Sequence, residues 1–254
     1  MNNDLIQWPR AKYWDKAWNA VIGCKPCSPA CENCYAAAWA KRFGQSFEPH
    51  ATKQRLPRKG VVFCGNMTDL FGEWVTPDQA TDNILATQWC ADDGLVIGPY
   101  DATYIWLTKR VTRMCSAINN CGLDCGGLET HYFGFTAENQ EAYDVRATQA
   151  AQGFPAWANL WLSCEPLLGE IDLDFPMMPQ LPKWLVVGCE SGPNRRPCKI
   201  EWVESIVEQC RVAGVPVFVK QICLPNGKFT NKIEEFPAHL RIRQVPWAKE
   251  GGAS

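Results

Sequence analysis

The sequence predicts an α/β fold, a partial TIM-like barrel of six to seven βα units with parallel strands in a single domain. Short apolar runs, mostly β-branched or aromatic, alternate with amphipathic stretches along the chain. Strands that alternate with helices pair in parallel through right-handed crossovers. Polar side chains follow nearly every apolar run, which is typical of the face where βα barrels carry their active sites.

Seven apolar runs are predicted to be strands: 18–23, 61–64, 104–107, 132–135, 160–162, 184–187 and 217–219. The stretches between them predict five helices: 36–43, 76–90, 108–118, 138–152 and 200–213. Only the connection 167–183, rich in Pro, Asp and Met, reads as a long loop. The barrel is therefore predicted to occupy residues 1–223, with a C-terminal extension over 224–254.

Composition limits the classes of function. The net charge of −2 excludes a global basic footprint, so any nucleic-acid binding has to come from a local patch. The start of the chain lacks an apolar signal region, and no run reaches transmembrane length, which predicts a cytoplasmic protein without membrane contact. Fourteen cysteines are many for a reducing compartment, where disulfides are rare, unless some of them bind metal.

Four cysteines lie within eleven residues, at Cys24, Cys27, Cys31 and Cys34. Thiolates so close together cannot all form unstrained disulfides, but they can converge on a metal. The last three have the spacing C-x3-C-x2-C, and three thiolates leave one iron of a four-iron, four-sulfur cluster without a protein ligand. A four-cysteine zinc site is the alternative, but zinc-binding pairs usually lie far apart in the chain, so the spacing favours iron–sulfur.

The strand ends supply the other candidate site residues. The predicted helix 36–43 begins just after Cys34, and a helix N-terminus favours an anionic cluster. The polar residues at the strand ends are Asn66, Asp69, Thr108, Lys109, Arg110, Glu138, Asn139, Ser163, Glu165, Glu190, Ser191, Lys220 and Gln221. Helix caps or turns are the alternative for Thr108, Asn139 and Ser191. Buried charged side chains need hydrogen-bond or charge partners, and a polar site shared by the whole set would provide these partners.

Seven stretches carry a resemblance to a known family. They read W-N-A-V-I-G-C…S-P-A-C-E-N-C-Y-A, V-F-C-G-N-M-T-D-L-F, W-L-T-K-R, F-G-F-T-A-E-N, L-S-C-E-P-L-L-G-E-I-D, V-V-G-C-E-S-G-P-N-R-R-P and G-V-P-V-F-V-K-Q, and they run from about residue 18 to 222. The chain resembles the radical S-adenosylmethionine superfamily. Within it, the chain is similar to a phage- and prophage-associated family of uncharacterised three-cysteine proteins.

The resemblance implies a [4Fe-4S] cluster and S-adenosyl-L-methionine as cofactors. The narrow family has the spacing C-x6-C-x2-C, which selects Cys24, Cys31 and Cys34 as ligands, whereas the superfamily spacing selects Cys27, Cys31 and Cys34. Cys27 is thus the competitor of Cys24. The implied mechanism binds S-adenosylmethionine at the fourth iron and cleaves it with one electron, and the resulting 5′-deoxyadenosyl radical abstracts hydrogen from a substrate.

The resemblance and the placement at strand ends together suggest roles. Asn66, Asp69, Ser163, Glu190 and Arg196 are expected to bind the cofactor. Lys109, Glu165 and Lys220 are expected to act in catalysis. The two lysines, together with Arg110, are expected to bind a carboxylate or phosphate. A Gly-rich insertion contains three further cysteines, Cys115, Cys121 and Cys125. They either form an auxiliary metal site or are ordinary thiols.

Three functions compete. The first is a radical enzyme acting on a nucleotide or a modified DNA base of a phage, in the host cytoplasm, with flavodoxin or ferredoxin as electron donor. The second is a radical enzyme acting on a free small metabolite or amino-acid-like group. The third is a non-catalytic, zinc-binding nucleic-acid module. The outcome of the radical step (isomerisation, cleavage or transfer) and the oligomeric state stay open.

Overall fold

The structure, a computed structural model, describes residues 6–92, 95–122, 128–192, 194–224 and 226–247. One curled, mostly parallel sheet of eight strands forms a half-barrel in a single α/β domain. Its strands are β1 (Lys16–Trp18), β2 (Lys59–Cys64), β3 (Asp101–Thr108), β4 (His131–Thr136), β5 (Asn159–Cys164), β6 (Trp184–Gly188), β7 (Val217–Cys223) and β8 (Phe229–Thr230). The strands lie side by side in chain order. Strands β1 to β7 run parallel, and β8 pairs antiparallel with β7.

Five helices accompany the sheet in the part of the chain that the structure describes. They are α1 (Tyr35–Arg42), α2 (Pro77–Leu85), α3 (Val111–Asn120), α4 (Gln140–Gly153) and α5 (Ile200–Ala213). Single 3₁₀ turns lie at Pro29–Cys31, Phe175–Met177, Ile233–Glu235 and Ala238–Leu240. Three short antiparallel pairs lie outside the sheet: Ile6–Gln7 with Gln244–Val245, Val21–Ile22 with His50–Ala51, and Trp89–Asp92 with Leu95–Pro99. Within the described ranges, no helix has the length and apolar character needed to cross a bilayer.

Two apolar cores lie on opposite faces of the sheet, because successive side chains of a strand alternate between its faces. Helices pack on the outer core, whereas the inner core fills the half-barrel with aromatic rings, including Tyr13, Trp161, Trp184 and Phe218. Gly134 in β4 makes room for one of them: a Cβ there would lie 2.4 Å from Nε1 of Trp161. That indole instead donates a hydrogen bond of 2.9 Å to the carbonyl of Trp106.

The predicted alternation of strands and helices is confirmed, with local corrections. Helix α5 has the predicted bounds, since Gly214 ends it in the left-handed conformation. The predicted strand 18–23 is wrong, because β1 ends at Trp18 and the chain turns at Asn19, whose backbone N–H bonds to Oε1 of Gln54 at 2.7 Å. Residues 21–22 then pair outside the main sheet.

The predicted helix 76–90 is too long. Its start is confirmed by a capping box between Thr76 and Gln79, but α2 ends at Leu85. Residues Trp89–Asp92 form a strand of an antiparallel pair instead. The predicted extension from 224 supplies β8, so the sheet has one strand more than the seven predicted.

Candidate functional site

The four cysteines at 24, 27, 31 and 34 line a single cavity of about 150 Å³, which we call the cysteine cavity. The loop 24–34 follows β1, and the carboxyl ends of β2 and β3 complete the wall. These ends supply the predicted site residues Asn66, Asp69, Thr108, Lys109 and Arg110. Parallel strands end at the same edge of a sheet, which brings these side chains together.

Close backbone contacts hold the start of the loop. Gly23 has φ of +94°, and a Cβ on it would lie 2.5 Å from the carbonyl carbon of Glu48, so only glycine fits without strain. Its N–H donates to the carbonyl of Met67 at 3.1 Å, and its carbonyl accepts from Oγ1 of Thr68 at 2.6 Å. The N–H of Cys24 donates to the carbonyl of Phe47 at 3.1 Å. The start of the loop at Gly23 and Cys24 is thus fixed by two separate segments, 47–48 and 67–68.

The end of the loop leads into α1. Cys34 lies at the N-cap position of α1, directly before its first turn. Its carbonyl accepts the N–H of Ala38 at 2.9 Å, and its own N–H donates to the carbonyl of Cys31 at 3.3 Å. The positive end of a helix dipole therefore lies beside two of the candidate ligands, where it favours thiolates.

The thiols differ in acidity. A hydrogen bond from the Cys27 thiol, assisted by the charge of Lys109, lowers the pKa of Cys31 to about 4. The same hydrogen bond raises the pKa of Cys27. Burial raises the pKa of Cys24 to about 11. Cys31, which both ligand sets include, is therefore more ready than Cys24 or Cys27 to act as a thiolate.

The side chains do not form a closed metal cage. In the part of the chain that the structure describes, no group of three or more His, Cys, Asp or Glu side chains is arranged to hold a metal ion. The ligand set Cys24, Cys31 and Cys34, with Cys27 as competitor, stays a prediction. For the second predicted site, Cys115 is buried in α3, the sulfur of Cys121 bonds to the carbonyl of Ala117 at 3.3 Å, and Cys125 lies outside the described residues.

A second cavity of about 160 Å³, the polar cavity, adjoins the first. The two share Cys34, Tyr35 and Lys109 in their walls. The ends of β5, β6 and β7 supply the rest of the polar lining: Ser163, Glu165, Glu190, Ser191, Lys220 and Gln221. Residues from the ends of six strands thus meet around two joined cavities. Of the strand-end residues predicted for a shared site, Glu138 and Asn139 line neither cavity.

Lys109 and Ser163 are polar groups of this site that are available to a ligand. Lys109 is half-buried on the wall shared by both cavities, and it forms no salt bridge with a described residue. Ser163 is 1% exposed, and no described group hydrogen-bonds its hydroxyl. A buried hydroxyl without a partner costs free energy, which a ligand in the polar cavity would recover.

Glu165 and Lys220 form a pair. Nζ of Lys220 lies 2.6 Å from Oε1 of Glu165, which also accepts from Nε2 of Gln221 at 3.1 Å. The ammonium group lies 5.8 Å and 5.6 Å from the ring centroids of Tyr13 and Trp14. The carboxylate of Glu165 already balances the charge of Lys220. Lys109 is therefore more available than Lys220 to bind an anionic group.

Asp69 and Asn66, both predicted to bind the cofactor, are occupied by protein partners. The buried carboxylate of Asp69 accepts from Oγ1 of Thr108 at 2.8 Å and from Nη1 of Arg110 at 3.1 Å. Oδ1 of Asn66 accepts from Nδ2 of Asn19 at 2.9 Å. These contacts position the ends of β2 and β3 around the cysteine cavity.

Glu190 and Arg196 attach the cysteine loop to the end of β6. The guanidinium of Arg196 lies 2.5 Å from Oε1 of Glu190 and donates to the carbonyl of Pro29 at 2.9 Å. Nδ2 of Asn33 donates to Oε2 of Glu190 at 3.0 Å. Burial raises the pKa of Glu190, but the hydrogen bonds from Arg196 and Asn33 outweigh it and hold the pKa below the usual value.

Sequence reasoning missed three residues here. Asn33 lies between two candidate ligands, and its polar side chain was the available signal. Tyr13 and Trp14 precede the first predicted strand, and nothing local in the sequence indicates that they line the polar cavity. Asn139, in turn, caps α4 by accepting the N–H of Ala142 at 2.9 Å, which is the alternative stated for it above.

The buried pair of Glu138 and Arg146 predicts acid sensitivity. Burial raises the pKa of Glu138, but the hydrogen bond and charge of Arg146 prevail and lower it. This carboxylate thus contributes stability above its unfolded pKa of about 4.3, and the contribution is lost as the pH falls through the lower folded pKa. We expect Glu138→Gln to reduce the slope of unfolding free energy against pH below about pH 4.3, by up to ~1.4 kcal/mol per pH unit.

Urea unfolding at a series of pH values measures this slope. The remaining carboxylates with lowered pKa, such as Glu73 and Glu190, keep some acid sensitivity in the variant. An unchanged slope in Glu138→Gln would show that the pair does not titrate as described.

Comparisons with known proteins give one match. Neither the curated proteins nor the solved structures contain a protein that matches this chain. A family model described as "Protein of unknown function (DUF5131)" matches residues 9–236. The matched range holds both cavities and all eight strands of the sheet. The chain therefore belongs to this family of unknown function.

Proposed function

We propose that this protein is a radical S-adenosylmethionine enzyme whose cysteine loop holds a [4Fe-4S] cluster. The observation that carries the proposal is the joining of two cavities, one lined by four cysteines and the other by polar strand-end residues. A cluster site and a substrate site need this adjacency. We also propose that the half-barrel is a partial (βα)6–7 TIM-like barrel.

The donor set fits such a group. Thiolates are the ligands of iron–sulfur clusters, and three of the four cysteines suffice for one with an open iron. Cys31 and Cys34 belong to both possible sets, and Cys24 or Cys27 provides the third ligand. Together, the reduced cluster and S-adenosylmethionine supply one-electron chemistry that removes hydrogen from an unactivated carbon.

Residues of the chain bind and orient the ligands, and they exclude water from the site. Lys109 places a positive charge between the two cavities, where it attracts a carboxylate or phosphate. The hydroxyl of Ser163 donates to a ligand in the polar cavity. The rings of Tyr13 and Trp14 limit water on the side of Lys220. Arg196, Glu190 and Asn33 hold the loop in position for the reaction.

The proposed substrate is a nucleotide or DNA base, and the proposed electron donor is a flavodoxin- or ferredoxin-type protein in the cytoplasm. The test is anaerobic reconstitution with iron and sulfide, followed by S-adenosylmethionine, dithionite and candidate substrates. We expect a broad absorbance band near ~400 nm, as such clusters show in general, together with release of 5′-deoxyadenosine and methionine. Deuterated substrates that transfer label to 5′-deoxyadenosine identify the substrate class. A colourless, zinc-loaded protein without 5′-deoxyadenosine would refute the proposal.

A further inference from the structure

Helix α1 presents a row of aromatic rings to solvent. Tyr35, Trp39 and Phe43 follow one another at intervals of four residues, which places them on one side of the helix. They are 53%, 47% and 57% exposed, whereas Ala36 and Ala40, which follow the first two ring residues in the chain, are buried. The rings of Trp39 and Phe43 have centroids 4.8 Å apart. Exposed aromatic residues this regular are unusual on a surface that binds nothing.

The row starts at the candidate site. Tyr35 lines both cavities, and its hydroxyl donates to the backbone carbonyl of Asn66. Trp39 and Phe43 continue from there along the helix and away from the cavities. A chain molecule that lies along the row would therefore reach the rim of the polar cavity.

The segment around this helix is strongly basic. Residues 25–59 contain seven Lys and Arg against two Asp and Glu, although the whole chain has 25 basic and 27 acidic residues. The basic residues are Lys25, Lys41, Arg42, Lys53, Arg55, Arg58 and Lys59, and all are exposed. None of the seven forms a salt bridge within the described ranges. Of the two acidic residues, Glu32 is paired with Arg196 at 3.2 Å.

The backbone returns from α1 along the edge of the sheet. The N–H of Gln45 donates to the carbonyl of Ala40 at 2.9 Å, and the N–H of Thr52 donates to that of Ala20 at 2.9 Å. Lys53 and Arg55 flank Gln54, whose carbonyl accepts the indole N–H of Trp18 at 3.3 Å, so they lie beside β1 at the edge of the sheet.

We propose that this basic aromatic surface, formed by Tyr35, Trp39, Arg42 and Phe43, binds single-stranded nucleic acid and leads it to the polar cavity. Proteins that bind single strands combine positive charge along the backbone with rings on which bases stack. The rings of Trp39 and Phe43, with centroids 4.8 Å apart, offer adjacent apolar surfaces on which bases can stack. The claim that a base then reacts in the polar cavity rests on the proposed function, whereas the binding itself needs no cluster.

Fluorescence anisotropy of a labelled thymidine 20-mer at low salt tests the surface. We expect Trp39→Ala and Phe43→Ala each to weaken binding about 5- to 100-fold, because each removes a stacking ring. Arg42→Ala should reduce the slope of log K against log salt by about 0.7, since one phosphate contact is lost. A blunt-ended duplex of the same 20-mer with its complement should bind more weakly than the single strand, because its bases are already stacked.

Matched controls separate the surface from general effects. Trp157 is 40% exposed and precedes β5 at the other end of the sheet, so Trp157→Ala should leave binding unchanged. Repeating the titration with Cys31→Ala distinguishes failure of this inference from failure of the proposed function, because binding should survive loss of a cluster. The inference is overturned if the single strand does not bind, if Trp39→Ala binds as the parent does, or if the same variants weaken only the docking of an acidic flavodoxin.

Discussion

Replacing Cys31 with alanine is expected to abolish both cluster assembly and cleavage of S-adenosylmethionine. Cys31 belongs to both possible ligand sets, and the hydrogen bond from Cys27 lowers its pKa to about 4, so a thiolate ligand is lost. The reconstituted variant should lack the visible absorbance band, bind little iron and release no 5′-deoxyadenosine above the level without protein. Iron analysis, absorbance and chromatography of the products measure these three quantities.

Other cysteine variants provide a control and identify the third ligand. Cys210 is buried in α5 and lines neither cavity, so Cys210→Ala should keep the absorbance and the activity. Of Cys24→Ala and Cys27→Ala, one should behave like Cys31→Ala and the other like the parent, which would decide the third ligand. If Cys31→Ala keeps its colour and cleaves S-adenosylmethionine, the cluster assignment is wrong.

Replacing Arg146 with methionine is expected to cost about 3–5 kcal/mol of unfolding free energy, because it leaves the carboxylate of Glu138 buried and unpaired. Glu138 has no exposed side-chain surface, and Nη1 of Arg146 lies 2.5 Å from its Oε2. The same nitrogen donates to the carbonyl of Thr136 at 2.7 Å, so the end of β4 also loses a partner. Urea unfolding followed by far-ultraviolet circular dichroism measures the change.

An exposed ion pair provides the control. Arg211 and Glu208 are 2.6 Å apart on the surface of α5, with 70% and 60% of their side chains exposed. Solvent screens such a pair, so Arg211→Met should leave the unfolding midpoint where it is. Adding Glu138→Gln to Arg146→Met should recover part of the loss, because no charge then remains buried. Equal unfolding free energies for Arg146→Met and the parent would contradict this account.

Local signals predicted most of the fold. The start of α2 and the end of α5 depend on residues next to them, a capping box at Thr76 and a glycine at 214, and both were visible in the sequence. The break after β1 was not, because the partners of Asn19 are Gln54 and Asn66, which are 35 and 47 positions away. Long-range hydrogen bonds of this kind leave no periodic pattern in the chain.

The same limit applies to the site. The strand-end rule placed Asp69, Glu190 and Ser163 around the cavities, since it depends only on where each strand stops. It could not tell a ligand-facing group from a supporting one. Asp69 is taken up by Arg110 and Glu190 by Arg196, while Ser163 lacks a partner among the described residues. That difference depends on side chains that meet only in three dimensions.

The pairing of Ile6–Gln7 with Gln244–Val245 has a practical consequence for labelling. Gln244 accepts the indole N–H of Trp184 and the N–H of Val217, which are the first residues of β6 and β7. Both ends of the described chain therefore emerge near the amino-terminal rim of the sheet, whereas the cysteines of the loop 24–34 lie at the carboxyl-terminal rim. A fluorophore or surface tether joined at either end would start on the far side from both cavities and leave their mouths open.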